Sequence, residues 1–212
     1  MKKSARKKLR RLVVILGDQL DPCHPLIEAL DPECDLVFMA EVREEATHVW
    51  SHKARIVLFL AAMRHYRDRL LARGITVRYL PLDAHSHDSL AAALAAELQD
   101  SPPQQLAMLQ AGDARVQAAM EATARQANLP LEVVEDPHFL VKTADFSDWL
   151  AQRKQPRLEH FYRALRKQTG LLMQDGEPLG GRWNFDADNR KSFGKQGPAQ
   201  LPAPPAFSPN RT

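Results

Sequence analysis

Gly17, Asp18 and Gln19 follow five apolar residues, Leu12 to Leu16, without a break. An apolar run that stops at a small residue, an acid and an amide reads as a buried strand delivering polar side chains to an edge. Two later runs end alike: DLVFMA reaches Glu41, with Arg43, Glu44 and Glu45 on the next turn, and QLAML reaches Gln110, Ala111, Gly112 and Asp113. A phosphate-binding turn after the first strand would carry GxGxxG or GxxxxGK, and neither is present; clustered carboxylates would also repel a phosphate. Carboxylates accept hydroxyl protons, and a glutamine amide both donates and accepts, so this edge suits an uncharged heterocycle or a polyol. The competing reading makes Asp18 the cap of a following helix and leaves the glutamates in solvent.

Other candidate groups carry less. His48 and His52 lie four apart near Glu44 and Glu45, and His85 pairs with His87; neither set has a zinc pattern, and both read as surface histidines. Cys23 and Cys34 are the only cysteines, which predicts reduced thiols in a cytoplasmic protein and leaves no disulfide framework or paired metal ligands. No nucleophile triad is recoverable from spacing, so no catalytic residue and no metal site is assigned. In residues 156–169, by contrast, Arg157, Arg163, Arg166 and Lys167 are interleaved with Phe161 and Tyr162. Rings among guanidinium groups suit base stacking and phosphate contact, as in nucleic-acid binding. The alternative is that Phe161 and Tyr162 pack a core beneath a solvated basic face.

The elements that must position these groups follow from the pattern of apolar runs. RLVVILG (11–17), DLVFMAEV (35–42), ITVRYLPL (75–82), QLAMLQA (105–111) and LEVVED (131–136) have strand length and alternate with four helical stretches. Such strands, rich in Val, Leu and Ile without clean alternation, predict an α/β fold. Its sheet is five-stranded, parallel and doubly wound (Rossmann-like), with helices on both faces and right-handed crossovers. Ligands of such sheets sit beyond the carboxyl ends of the strands, where all three acidic turns lie. A long helix is predicted over about His52 to Arg73, capped by Ser51 and stopped by Gly74, with Ile56, Phe59, Leu60, Met63 and Leu70 as its core stripe. Val57 and Leu58 fall outside that stripe, which implies either an unusually wide core face or a second partner.

After Asp136 the alternation ends. PRLEHFYRALRKQTG reads as a helix, and LLMQDGEPLGGRWNFDADNR as a hairpin or extended loop punctuated by Asp-Gly and Gly-Gly. The expected divisions are a basic tail (1–11), the α/β domain (12–136), a helical and extended interdomain segment (137–195) and a Pro-rich linker or tail (196–212). The last carries five prolines in its final fifteen residues. A linker predicts a further domain beyond it. Charge is also uneven along the chain: residues 1–11 hold seven Lys or Arg and no acid, residues 12–150 are net −10, and residues 151–195 are net +5. The basic portions point to nucleic acid through phosphate charge. The basic N-terminus resembles the start of a signal peptide, but its apolar run is only about five residues, and no stretch is long enough to span a membrane.

Taken together, LVVILGDQL, EVREEATHVWSHKARIVLFLAAMRHY, LEHFYRALRKQTGLLM and GGRWNFDADNR resemble the N-terminal portion of the bacterial photolyase-related family, the iron–sulfur bacterial cryptochromes and (6-4) photolyases. The resemblance spans residues 12 to about 191. It implies a Rossmann-like antenna domain that binds 6,7-dimethyl-8-ribityllumazine, a polyol on a heterocycle, followed by an interdomain segment. In such proteins a further domain carries FAD and a [4Fe–4S] cluster, and excitation passed to reduced flavin drives electron transfer to a flipped-out pyrimidine lesion in DNA. The resemblance thus implies a light-harvesting part of a DNA-repair flavoprotein, not catalytic by itself. A cryptochrome-like blue-light photoreceptor and a stand-alone ligand-binding domain are the alternatives.

The family's antenna motifs fall on Gly17, Asp18 and Gln19 and on Glu41, Val42 and Glu45. Glu45 is the expected hydrogen-bonding partner of the antenna, and Gly17 the residue that lets its ring approach the backbone. The interdomain motifs fall on Glu159, Phe161, Tyr162, Arg163, Arg166, Thr169 and Gly170, and on Gly180, Gly181, Arg182, Trp183, Asn184, Asp186, Asn189 and Arg190. Arg157, Tyr162, Arg163, Arg166, Lys167, Arg182, Trp183, Asn184 and Arg190 are expected to face DNA or the flavin domain. The chain departs from the family where many members resemble E-P-G-E-W/Y-R and it reads Gln110 to Arg115, losing an acid and an aromatic ring. Leu158 and Leu165 also stand where Met is common.

Overall fold

Each of the five expected runs forms a strand in the structure, a computed structural model that describes residues 9–186, 190, 192–195, 197–198 and 201–206. The strands are β1 (Arg11–Val14), β2 (Asp35–Ala40), β3 (Val77–Leu80), β4 (Gln105–Leu109) and β5 (Leu131–Val134), all parallel, in the order β3-β2-β1-β4-β5. Successive side chains of a strand point to opposite faces, and here both faces are apolar. Leu12, Val14, Phe38, Leu106 and Met108 pack under α4 (Leu90–Asp100) and α5 (Ala114–Gln126). Val13, Ile15, Val37, Met39 and Leu109 pack under α1 (Pro25–Glu28) and α3 (Lys53–Ala72). Burial on both sides explains why the strands lack an alternating polar face.

The long helix α3 shows where linear reading falls short. Its N-cap is His52, not Ser51: the chain enters the helix one residue later, and the His52 ring accepts from the Ala54 N–H at 3.1 Å through Nδ1. Gly74, at φ 78°, stops it as expected. Met63, Tyr66 and Leu70 are its buried residues, and Tyr66 joins that stripe because its hydroxyl finds the Asp21 carbonyl at 2.8 Å. Val57 and Leu58, 66% and 71% exposed, are not part of a wide core face. Between β1 and β2 the expected helix shrinks to the four-residue α1, and a short α2 (Arg43–Thr47) with no buried residue follows β2.

The described residues fall into two compact units, 9–139 and 140–206. The second holds α6 (Thr143–Ala151), α7 (Leu158–Thr169) and a small antiparallel pair, β6 (Met173–Gln174) with β7 (Glu177–Pro178). Its turn residues Asp175 and Gly176 both have positive φ, 50° and 81°. That geometry is why Asp-Gly closes a two-residue hairpin. Helix α6 was not foreseen, because it carries no helix-capping side-chain hydrogen bond and no buried residue; its exposed ring Phe146 and the half-buried Trp149 meet Phe161 of α7 at 5.0 and 4.9 Å. Residues 1–8 of the basic tail, Asn189, and most of the last ten residues lie outside those described. No described helix is long and apolar enough to cross a membrane.

Candidate functional site

In the order β3-β2-β1-β4-β5 the chain turns back between β1 and β4, and at such a switch the loops beyond the strand ends part to leave a crevice. A cleft of about 250 Å³ lies there. Gly17 and Asp18 beyond β1, Ala40, Glu41 and Val42 at the end of β2, and Ala111, Gly112 and Asp113 beyond β4 line it. Helix α3 supplies an apolar wall of Ile56, Phe59, Leu60 and Met63, and Glu45, Ser51 and Arg55 stand at its polar side.

The five residues expected to hold a ligand play different parts. Asp18 is exposed, lines the cleft, and makes no hydrogen bond or ion pair with the described residues. It caps no helix, since α1 begins seven residues later behind His24. Gln19 is buried and stands behind the wall: its Nε2 donates to the Gln110 carbonyl at 2.9 Å, tying the ends of β1 and β4 together. Glu41 is buried with its carboxylate turned into the protein. Arg64 donates to it from Nε and Nη2 at 2.7 and 2.8 Å, the Tyr79 hydroxyl at 2.5 Å and the Leu82 N–H at 3.0 Å. Burial alone would raise this carboxyl; those four donors outweigh it and hold it below the usual range.

Glu45 reaches the cleft from α2 and pairs through one oxygen with Arg115 at 2.9 Å. Arg115 also meets Glu44 at 3.2 Å and Asp113 at 3.4 Å, and its backbone N–H donates to the Asp113 carboxylate, which caps α5. One guanidinium thus links α2 to the start of α5 across the strand ends. Sequence reading placed Arg115 only within a departing motif; its role comes from two acids 70 and 71 positions away, for which no local signal exists. A side chain at Gly17 would displace Phe59: an ideal Cβ there would lie 2.5 Å from its ring.

In the second unit the basic and aromatic residues divide. Phe161 packs inward on Phe146 and Trp149, whereas Tyr162 on the next position stays 43% exposed. Arg166 is buried: its guanidinium donates to the carbonyls of Leu171 and Leu172, closing the turn after α7, and stacks 5.2 Å from the Trp183 ring. Arg163 and Lys167 stand 5.6 Å from the same ring, and Arg163 pairs with Glu159 one turn back. Arg182 lies 4.4 Å from the Phe185 ring. Arg157, Lys167, Arg182, Asn184 and Arg190 are exposed. Among the described residues no group of three or more His, Cys, Asp and Glu could hold a metal ion.

Comparison with known proteins places this arrangement in a lineage. The family model for deoxyribodipyrimidine photo-lyase-related protein matches residues 13–212. The chain belongs to that family. This photolyase-related protein is 35% identical over 208 residues, 96% of its length, to a (6-4) photolyase of Agrobacterium fabrum. It spans about 40% of the length of that relative. It is also similar to an uncharacterized protein of Acanthamoeba polyphaga mimivirus, at 25% identity over 143 residues, 66% of this chain and 71% of that one.

Proposed function

We propose that residues 9–139 of this photolyase-related protein are a light-collecting unit and that the strand-edge cleft binds 6,7-dimethyl-8-ribityllumazine. The observation that carries the reading is the cleft itself: an apolar wall from α3 facing the uncommitted carboxylate of Asp18 and the half-committed one of Glu45. Apolar residues suit the two-ring heterocycle, and the carboxylates accept from the hydroxyls of its ribityl chain. At about 250 Å³ the cleft lies near the lower end of the range of about 300–1,000 Å³ typical of small-molecule pockets. That favours a compact chromophore over a dinucleotide such as FAD. Glu41 serves such a site indirectly, through Arg64 and Tyr79, by fixing the end of β2 against α3 and β3.

In the longer protein that this reading implies, FAD and a [4Fe–4S] cluster belong to a further domain. Two cysteines, 11 residues apart, do not make a four-thiolate site. The light absorbed by the antenna then serves flavin-driven repair of pyrimidine lesions in DNA, with Arg157, Tyr162, Lys167, Arg182, Asn184 and Arg190 available to face DNA or the flavin domain. Trp183 and Arg163 support that face by ring and cation stacking, and Arg166 by holding its turn.

The antenna reading is tested by titrating purified protein with 6,7-dimethyl-8-ribityllumazine and following its near-UV band and energy transfer from aromatic residues. The expected result is a shifted band and saturable transfer, weakened about tenfold by Asp18→Ala through loss of charge-assisted hydrogen bonds. An unshifted spectrum at every concentration sinks it.

A further inference from the structure

Gly17 is the expected point of approach for a ligand ring, and in the structure the Phe59 ring lies against it. An ideal Cβ at Gly17 would sit 2.5 Å from Cε1 and 2.6 Å from Cζ of Phe59, and 2.9 Å from Sδ of Met63. Gly17 is not among the residues of positive φ, so its lack of a side chain serves space and not backbone conformation. The Phe59 ring enters this notch from α3 while remaining 40% exposed and lining the cleft. Ring and glycine are therefore coupled: the ring takes up cleft volume, and how far it withdraws depends on position 17 having no Cβ.

We propose that Phe59, seated on Gly17, is the residue that sets ligand size in this cleft, admitting two fused rings and excluding three. The inference rests on the antenna reading and deepens it. 6,7-Dimethyl-8-ribityllumazine and riboflavin share the pyrimidinedione ring and the ribityl chain and differ by one fused benzenoid ring. That extra ring has the size of the phenyl group that Phe59 places in the cleft. Hydrophobic pockets discriminate weakly against small additions, about 10–200-fold per methylene. Rejecting a whole ring calls for a wall of ring size, and the phenyl group seated over Gly17 beside Met63 provides one.

The test is a double-mutant cycle read by two probes, lumazine and riboflavin, in equilibrium binding to the whole chain. Wild-type protein is expected to bind lumazine and to bind riboflavin at least about tenfold more weakly. Phe59→Ala should raise riboflavin affinity about tenfold or more and remove the preference. Gly17→Ala should push the ring into the cleft and weaken lumazine binding, and in the Phe59→Ala background it should have little effect. Melting profiles of each variant separate loss of fold from loss of fit, and Phe59→Leu, which keeps an apolar wall without a ring, should fall between. Lumazine binding by wild type with a lumazine-to-riboflavin ratio unchanged in Phe59→Ala overturns the size gate alone. A Gly17→Ala effect as large without the ring as with it does the same. Absence of lumazine binding by wild type overturns the antenna reading, and this inference with it.

Discussion

Two buried titratable residues show how position in the fold sets a side chain's chemistry. Glu41 meets four donors, and Glu41→Gln would leave the Arg64 fork facing an amide. Because Arg64 is 31% exposed, water screens part of the loss. The expected cost is about 2–3 kcal/mol at pH 7, read from urea midpoints. The folded carboxyl lies below its ordinary value of 4.5, so its contribution is present above that pH and is lost as pH falls through the folded value. The deficit of Glu41→Gln should accordingly shrink toward pH 3. His24 has a sensitivity of the same sign in a higher pH range. It is wholly buried, neither ring nitrogen has a hydrogen-bond partner among the described residues, and burial lowers its pKa from 6.5 despite the nearby charges of Asp21 and Asp136. The unfolded chain takes up the proton first, so stability is full above pH 6.5 and declines as pH falls from there toward the folded pKa. His24→Leu should flatten that decline between pH 7 and pH 5, measured by the same midpoints.

Among the elements, α2 depends most on side-chain pairing. It buries no residue, its N-cap Val42 makes no side-chain hydrogen bond, and its two acids meet Arg115 at the start of α5. Removing that guanidinium by Arg115→Ala should speed amide hydrogen exchange over residues 45–48 while shifting global stability by less than about 1 kcal/mol. Equal slowing or equal acceleration across the sheet would contradict this assignment. The strands and α3, α4 and α5 were legible in the sequence because burial imprints runs and periodicities on each. Helix α2 was not, since its reason for being helical lies in a residue 70 positions away. Tyr66 escaped the core stripe for a related cause: a hydroxyl looks polar until its partner, the Asp21 carbonyl, is in place.

For the whole molecule, charge divides as the units do, with residues 12–139 at −9 and residues 140–195 at +4. DNA affinity is expected to reside in the second unit and to fall steeply between about 50 and 200 mM salt as released counterions are replaced. Lys167→Glu and Arg182→Ala should each reduce the salt slope and weaken binding to every sequence alike, measured by fluorescence anisotropy. Affinity independent of salt would count against phosphate contact. Arg166→Ala should act otherwise, loosening the turn at residues 170–172 through lost carbonyl bonds.

The architecture and the place of the site were written in the linear pattern. Five apolar runs, the three central ones buried on both faces and ending in polar turns, permit little besides a parallel sheet with a cleft at its carboxyl edge, because apolar surface must be covered and polar groups must reach an edge. What each polar group does at that edge was a tertiary decision. Asp18 faces the cleft, Gln19 braces its rear, Glu41 turns inward to Arg64 and Tyr79, and Glu45 shares its charge with Arg115. Side chains of one chemical type separate in this way because a hydrogen bond or ion pair needs a partner within about 3 Å, and only folding brings residues from distant parts of the chain that close.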